Sequence, residues 1–354
     1  MAYTTINKPS DYFNTVTYTG NGGTQSVTGV GFQPDWCWIK SRSNPGVYGH
    51  ETYDVIRGVR NNLSPNSTDA AFTIPTTGFE SFDSDGFTVQ LSDNYARGLN
   101  ENNQLQVAWN WLADNTTGSS NTDGTITSTV SANTTSGFSI VKYSGNSTAG
   151  ATVGHGLGAV PNVRITKRLT NADSWDVYHS GVDVTGDYTL RLNETGAKTN
   201  GNNTNNDTAP TSSVFTLGSD AMVNGSSNDY ISYCFAEKKG FSKFGSYTGN
   251  GNADGTFVYT GFKPAMVIVK VTSTTNNWNI FDNKRSPIND IDKRLFPNLS
   301  SAEQTGTASI DFLSNGFKCR NTNDNYNASG ATYIYMAFAE QPLVTTGKVP
   351  ATAR

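Results

Sequence analysis

Tyr18-Thr19-Gly20-Asn21-Gly22, Tyr143-Ser144-Gly145-Asn146 and Tyr247-Thr248-Gly249-Asn250-Gly251 are three versions of one phrase. Each is followed by a proline and an apolar run that ends in lysine. These are Phe32-Gln33-Pro34-Asp35-Trp36-Cys37-Trp38-Ile39-Lys40, Val160-Pro161-Asn162-Val163-Arg164-Ile165-Thr166-Lys167 and Phe262-Lys263-Pro264-Ala265-Met266-Val267-Ile268-Val269-Lys270. The spacing holds at independent markers: Tyr18 to Tyr143 is 125 and Pro34 to Pro161 is 127, while Tyr143 to Tyr247 is 104 and Pro161 to Pro264 is 103. A solenoid repeat runs roughly 20–50 residues, whereas about a hundred residues make a small domain. The chain therefore reads as three related modules in tandem.

The segments inside each module are short and rich in β-formers. Trp36-Cys37-Trp38-Ile39, Val163-Arg164-Ile165 and Met266-Val267-Ile268-Val269 each follow a proline suited to the start of a strand. His50-Glu51-Thr52-Tyr53-Asp54, Trp175-Asp176-Val177-Tyr178-His179 and Trp278-Asn279-Ile280-Phe281-Asp282 align as a second strand. Leu63-Ser64-Pro65, Leu190-Arg191-Leu192 and Leu295-Phe296-Pro297 align after it. Asp85-Gly86 and Asn315-Gly316 between apolar runs signal hairpins. An aromatic strand closes each module. The expected fold is all-β: three tandem antiparallel β-sandwich modules of lectin-like or jelly-roll type. The boundaries read as an N-terminal docking arm (1–14), module 1 (15–117), a polar linker (118–136), module 2 (137–240), module 3 (241–341) and a C-terminal tail (342–354). Modules 2 and 3 are expected to pack as a pair, with module 1 on a looser tether.

Composition narrows the function classes. Hydrophobic residues make up 35% and charged residues 15%, with 35 glycines, which suits short strands joined by many turns. A net charge of −4 without basic clusters argues against nucleic acid and anionic membrane as partners. No stretch approaches the roughly 20 apolar residues of a membrane span, and the N-terminus shows no secretory pattern. Cys37, Cys234 and Cys319 fall at different module positions, so they read as small buried hydrophobes made in a reducing cytoplasm.

Chemistry-bearing patterns are sparse. Asp83-Ser84-Asp85-Gly86 lacks the later ligands of a calcium loop. His50, His155 and His179 show no metal spacing, and no nucleophile–base arrangement repeats. No catalytic, cofactor-binding or metal-ligating residue is assigned, and the chain reads as a non-enzyme. Asp54 with Arg57 and Asp282 with Arg285 read as surface pairs worth on the order of 0–1 kcal/mol. Trp175 and Trp278, near Asn- and Asp-rich loops, read either as core or module-rim packing or as a platform that stacks on a glycan, and Tyr326 is a further residue for glycan contact. The loops 69–77, 199–211 and 321–329 differ most between modules and would carry ligand contact if there is any.

Phe32-Gln33-Pro34-Asp35 with Trp38-Ile39-Lys40, Phe82-Asp83-Ser84-Asp85-Gly86-Phe87, Gly154-His155-Gly156-Leu157-Gly158 and the Tyr-x-Gly-Asn phrases resemble a repeat family of virion structural proteins from marine tailed bacteriophages. The opening Tyr3-Thr4-Thr5-Ile6-Asn7-Lys8-Pro9 and the closing Val349-Pro350-Ala351-Thr352-Ala353-Arg354 look similar too. The resemblance implies lectin-like sandwiches displayed on a phage particle, with no catalytic residues to carry over. The expected role is a virion structural protein, a tail-fibre or receptor-binding component. A capsid decoration or head-fibre protein is the alternative in the same setting, and a carbohydrate-active enzyme of sandwich fold the alternative from another class. Expected partners are other virion proteins, further copies of the chain as a trimer, and host surface glycan. The arm, with Ile6, Pro9, Tyr12 and Phe13, is expected to dock on the particle.

Overall fold

The computed structural model describes residues 3–43, 48–91, 98–306 and 309–352. Met1, Ala2, Ala353 and Arg354, the extremities of the expected arm and tail, lie outside them. The described residues are nearly all β, and the strands of every sheet pair antiparallel. Module 1 has a four-stranded sheet in the order Phe13–Thr19, Leu105–Trp111, Trp36–Ser41, His50–Asp54, and a three-stranded sheet in the order Thr24–Thr28, Gly86–Gln90, Phe79–Asp83. Module 3 repeats this order with Ser242–Thr248, Thr332–Pro342, Phe262–Val271, Asn279–Asp282 and, in its second sheet, Phe257–Tyr259, Gly316–Cys319, Ile310–Leu313. Module 2 has the same inner four, Phe138–Ser144, Asp229–Phe235, Val163–Arg168 and Asp176–His179, inside an eight-stranded sheet. Its second sheet is the pair Ala151–Gly154 and Val214–Leu217.

The stretch 118–136 is therefore not a linker. Ser119–Asn121 and Ser128–Asn133 pair onto Phe138–Ser144 and widen the sheet of module 2. Polar composition misled here because an edge strand with one solvated face carries few apolar residues.

The Tyr-x-Gly-Asn phrase locks the lead-in to each closing strand. Tyr18, Tyr143 and Tyr247 donate their hydroxyls to the carbonyls of Leu99, Val223 and Tyr326 at 2.7, 2.7 and 2.6 Å. The next residue in each case is a buried asparagine, and Asn100, Asn224 and Asn327 accept from the backbone N–H of Asn21, Asn146 and Asn250. A Cβ at Gly20, Gly145 or Gly249 would lie 2.2, 2.5 or 2.3 Å from a carbonyl oxygen of the residue that follows that asparagine. Glycine is required because the two backbones touch.

Each module has its own sandwich core. In module 1, Cys37, Ile39, Tyr53 and Ala108 of one sheet meet Val27, Phe79, Phe87 and Val89 of the other. The opposite face of each four-stranded sheet is apolar as well, and all three of those faces meet in one shared core. Trp36, Trp38, Trp109 and Trp111 pack there with Phe138, Ile165, Tyr233 and Phe235 of module 2 and with Met266, Ile268, Met336 and Phe338 of module 3. Trp36 stacks on Tyr233 with centroids 4.1 Å apart, and Phe235 meets Phe338 edge-on at 5.8 Å. Module 1 is thus not tethered loosely: its indoles sit in the centre of the molecule.

The N-terminal arm is covered by its own chain. Tyr3 donates to the Gly261 carbonyl at 2.5 Å and Thr4 to the Lys239 carbonyl at 2.7 Å. Ile6 and Phe13 are buried, and Phe13 stacks on Phe338 at 4.9 Å. The side chains expected to need a partner surface find it at the seam of modules 2 and 3, which overturns the basis of the docking-arm expectation.

Because the three sheets share one core, the modules should unfold together. Trp36→Ala should cost about 3–5 kcal/mol and lower the melting temperature of one cooperative transition in differential scanning calorimetry. A separate early transition for module 1 would refute a shared core.

Candidate functional site

The residues singled out for sugar stacking are interior. Trp175, Trp278 and Tyr326 are 0%, 2% and 0% exposed, so no glycan reaches their faces. Tyr326 belongs to the lock described above, and its hydroxyl accepts from the Asn321 amide at 2.6 Å. The two tryptophans join modules. Trp175 Nε1 donates to the Ser64 carbonyl of module 1 at 3.1 Å, and Trp278 Nε1 donates to the Arg191 carbonyl of module 2 at 2.9 Å. His50, at the same position in module 1, places Nε2 at 2.9 Å from the Phe296 carbonyl of module 3. Since His50 Nδ1 accepts from Trp38 Nε1 at 2.9 Å, its proton lies on Nε2 and is donated. Ser64, Arg191 and Phe296 each follow the aligned leucine. The contact runs 2 to 1, 3 to 2 and 1 to 3: the modules close a ring, each using the same surface.

Other contacts repeat the same cycle. The lysines that end the apolar runs donate from Nζ to the Ser300, Thr68 and Thr195 carbonyls, from Lys40, Lys167 and Lys270, at 3.3, 3.2 and 3.1 Å. Backbone N–H groups of Ala71, Lys198 and Glu303 answer with bonds to Leu169, Thr272 and Arg42 at 2.9, 3.0 and 2.9 Å. The Asp–Arg pairs belong here too and are not surface pairs. Asp54 accepts from Arg57 and from Tyr233 of module 2, and Asp282 accepts from Arg285 and from Trp109 of module 1. Both acids are 0% exposed. Breaking such a buried pair costs about 3–5 kcal/mol, far above a surface pair. Module 3 carries Met336 at the position of Tyr233 and Trp109, with no N–H or O–H to offer. Module 2 correspondingly has His179, whose Nε2 lies 3.1 Å from the Tyr335 carbonyl.

Burial sets the titration of these groups. It pulls Lys40, Lys167 and Lys270 down to about 8 and His179 down to about 4. Burial also pushes Asp35 up to about 7, against the lowering effect of the Asn115 and Ala113 N–H groups that its Oδ2 accepts. Among the described residues no group of three or more His, Cys, Asp or Glu is placed to hold a metal ion.

Symmetry breaks at the surface. In module 1, Gln104 reaches Ser43, whose hydroxyl donates to it at 2.7 Å. In module 2, Asn228 occupies the matching place and accepts from Thr170 and Arg168 at 2.7 and 2.9 Å. These positions align because Gly20, Gly145 and Gly249 donate to Gln104, Asn228 and Ala331. Module 3 has only Ala331 there, and a cleft of about 470 Å³ opens, lined by Ser273–Asn276, Asp324 and Ala328–Ala331. The loop 321–329, marked by its divergence in the sequence, forms one wall. The two other divergent loops, 69–77 and 199–211, do not line it, because 69–71 and 198–199 are bound into the ring and the edge of the widened sheet.

A family model described as a domain of unknown function, DUF7483, matches residues 8–342. The chain belongs to this family. No curated protein and no solved structure matches the chain. The family's unit spans all three modules, the same extent as the ring. No helix among the described residues is long and apolar enough to cross a membrane.

The lysine ring predicts a pH dependence. With folded values near 8 and the ordinary value near 10.5, the unfolded chain binds more protons between these limits. Stability should therefore rise as pH climbs from 8 towards 10, by on the order of 1–3 kcal/mol per lysine. Above pH 10 it should fall, because burial holds Tyr178 and Tyr333 at about 12 while unfolded tyrosines ionise near 10. Urea midpoints across pH 7–11 read this directly, and Lys270→Met should remove about a third of the rise.

Proposed function

We propose that this chain is a structural and adhesive protein of a bacteriophage virion, serving as a tail-fibre or receptor-binding component. The observation that carries the proposal is the combination of a self-closed three-module β body with an open polar cleft on one module. A shared core gives rigidity, and the loops outside it are free to vary. The cleft in module 3 offers the hydroxyls of Ser273, Thr274, Thr275 and Ser329, the Asn276 amide and the Asp324 carboxylate. That set exchanges hydrogen bonds with sugar hydroxyls, so host surface glycan is the proposed ligand. Other virion proteins are the proposed neighbours, and the virion is the proposed location. Trimerisation belongs to the same proposal. The surfaces that join module to module are engaged within one chain, so a trimer would form through the outer sheets or in a socket on the particle. A capsid decoration protein is the second reading within this setting.

Gold-labelled antibody on intact virions tests the proposal: label at the tail tip supports it, label over the capsid shell supports the second reading, and unlabelled virions reject both. Ala331→Gln copies the residue that fills the cleft in module 1. It should lower host adsorption about tenfold or more with an unchanged melting temperature. Undiminished adsorption would remove the cleft from the binding role.

A further inference from the structure

A second cavity, of about 350 Å³, lies in module 1 where the loop after His50–Asp54, the strand Phe79–Asp83 and the segment leading to module 2 converge. We infer that this pocket is a binding site for a neutral pyranose. One wall is apolar, made by Val55, Val59 and the partly buried ring of Phe82, and the other carries Gln33, Glu80, Asn115 and Thr117. The inference deepens the adhesive reading by naming a ligand class, but it rests on a different module and on different residues.

The pocket exists because a loop is short. Phe82 pairs with Phe87 as Phe312 pairs with Phe317 in module 3, so the two positions are equivalent. In module 3 this place is sealed. Asn289 brackets Phe312 with two bonds of 2.9 Å, Ile291 N–H bonds to the Ile310 carbonyl at 2.8 Å, and Ile310 and Phe312 are 0% exposed. The chain between Asp282 and Leu295 is four residues longer than that between Asp54 and Leu63. Module 1 lacks the residues that cover Phe312. Its ring at Phe82 is only half-buried, and Glu80 is an extra residue at a bulge before it, since Phe79 pairs with Val89 as Ile310 pairs with Cys319.

The chemistry of the walls selects the ligand. A pyranose has a C–H face that lies against an aromatic or aliphatic wall and an edge of hydroxyls that needs both donors and acceptors. The wall of Phe82, Val55 and Val59 suits the first. The Gln33 and Asn115 amides, the Thr117 hydroxyl and the Glu80 carboxylate suit the second. Glu80 is fixed from behind, its Oε1 accepting from Gly78 N–H at 2.7 Å and its Oε2 from Arg60 Nε at 3.1 Å. Arg60 is thereby spent on Glu80, and no Lys or Arg among the described residues lines the cavity to favour an anionic sugar. The floor is rigid, because Val55 N–H bonds to the Asp35 carbonyl and Asn115 N–H to the Asp35 carboxylate, both at 3.0 Å.

Ligand-observed saturation-transfer NMR of the full chain with the methyl pyranosides of glucose, galactose, mannose and N-acetylglucosamine tests the inference. At least one should show saturable transfer with a millimolar Kd. Measured in the Ala331→Gln background, which closes the module 3 cleft, the transfer should persist, and adding Val59→Trp, which fills the module 1 cavity from an exposed position, should abolish it. Gln33→Ala should weaken binding about tenfold, and it decides the matter if Val59→Trp does not fold. No transfer from any of the four sugars, or transfer that survives in a folded pocket variant, overturns the assignment. Either result leaves the virion location, read by gold labelling, untouched.

Discussion

Each four-stranded sheet in this protein is apolar on both faces, and a sheet with two apolar faces cannot be left half covered. One face is covered by the module's own second sheet. The other has nothing inside the module to meet it. With Trp36, Trp38, Trp109 and Trp111 on that face in module 1, exposure would cost about 1.5–3 kcal/mol for each large side chain, more than a marginally stable domain can sustain. Three such faces turned towards one another solve the problem at once. The modules are related as domains in sequence but act as one folding unit in energy.

Apolar contact is non-directional, so it explains why the sheets meet and not why they meet in one register. The ring of polar contacts supplies the direction. A lysine, an indole or imidazole, and a backbone N–H are repeated at each boundary, and each has its acceptor on the adjacent module. A sheet shifted by one residue would leave these donors buried and unpaired, at about 1–3 kcal/mol each. The exchange of Asp54 and Asp282 for His179 follows the same rule. An acid stands where the neighbour offers Tyr233 or Trp109, and an imidazole stands where Met336 leaves a backbone carbonyl as the only partner. Buried polar groups here specify arrangement more than they add stability.

Much of the fold was legible in the sequence. The recurring Tyr-x-Gly-Asn phrase, the prolines and the Asp-Gly and Asn-Gly turns mark strands and modules that the structure contains. Placement between modules was less legible, because a repeat records what modules share and says little about how they face one another. The signal was nonetheless present. Trp36-Cys37-Trp38-Ile39 lacks the alternation of a half-solvated strand, and a continuous apolar run marks burial on both faces. The same burial rule favours the packed reading of Trp175 and Trp278 over a sugar platform, and both are interior. The polar stretch 118–136 failed for the converse reason: an edge strand with little to bury resembles a linker in composition. The module 3 cleft was legible only through the divergent loop 321–329 that walls it, and the module 1 cavity was not, since each arises from what one module lacks relative to another, a long amide at Ala331 and four loop residues near Phe82.

That contrast separates scaffold from function within a single chain. The contacts that close the ring recur in all three modules, down to the residue offset of the accepting carbonyls, even where the donor differs, as His50 does from Trp175 and Trp278. Where the modules differ while the backbone around them is unchanged, the ring does not set the residue. Gln104, Asn228 and Ala331 sit on the same hydrogen-bonded frame, and Phe82 and Phe312 sit on the same strand pair. A fused three-module chain can vary one copy without disturbing the other two, which three identical subunits cannot do. Asymmetry imposed on a symmetric frame is therefore the place to look for ligand contact. Among the described residues it is seen at the module 3 cleft, lined mainly by polar residues, and at the module 1 cavity, which carries an apolar wall.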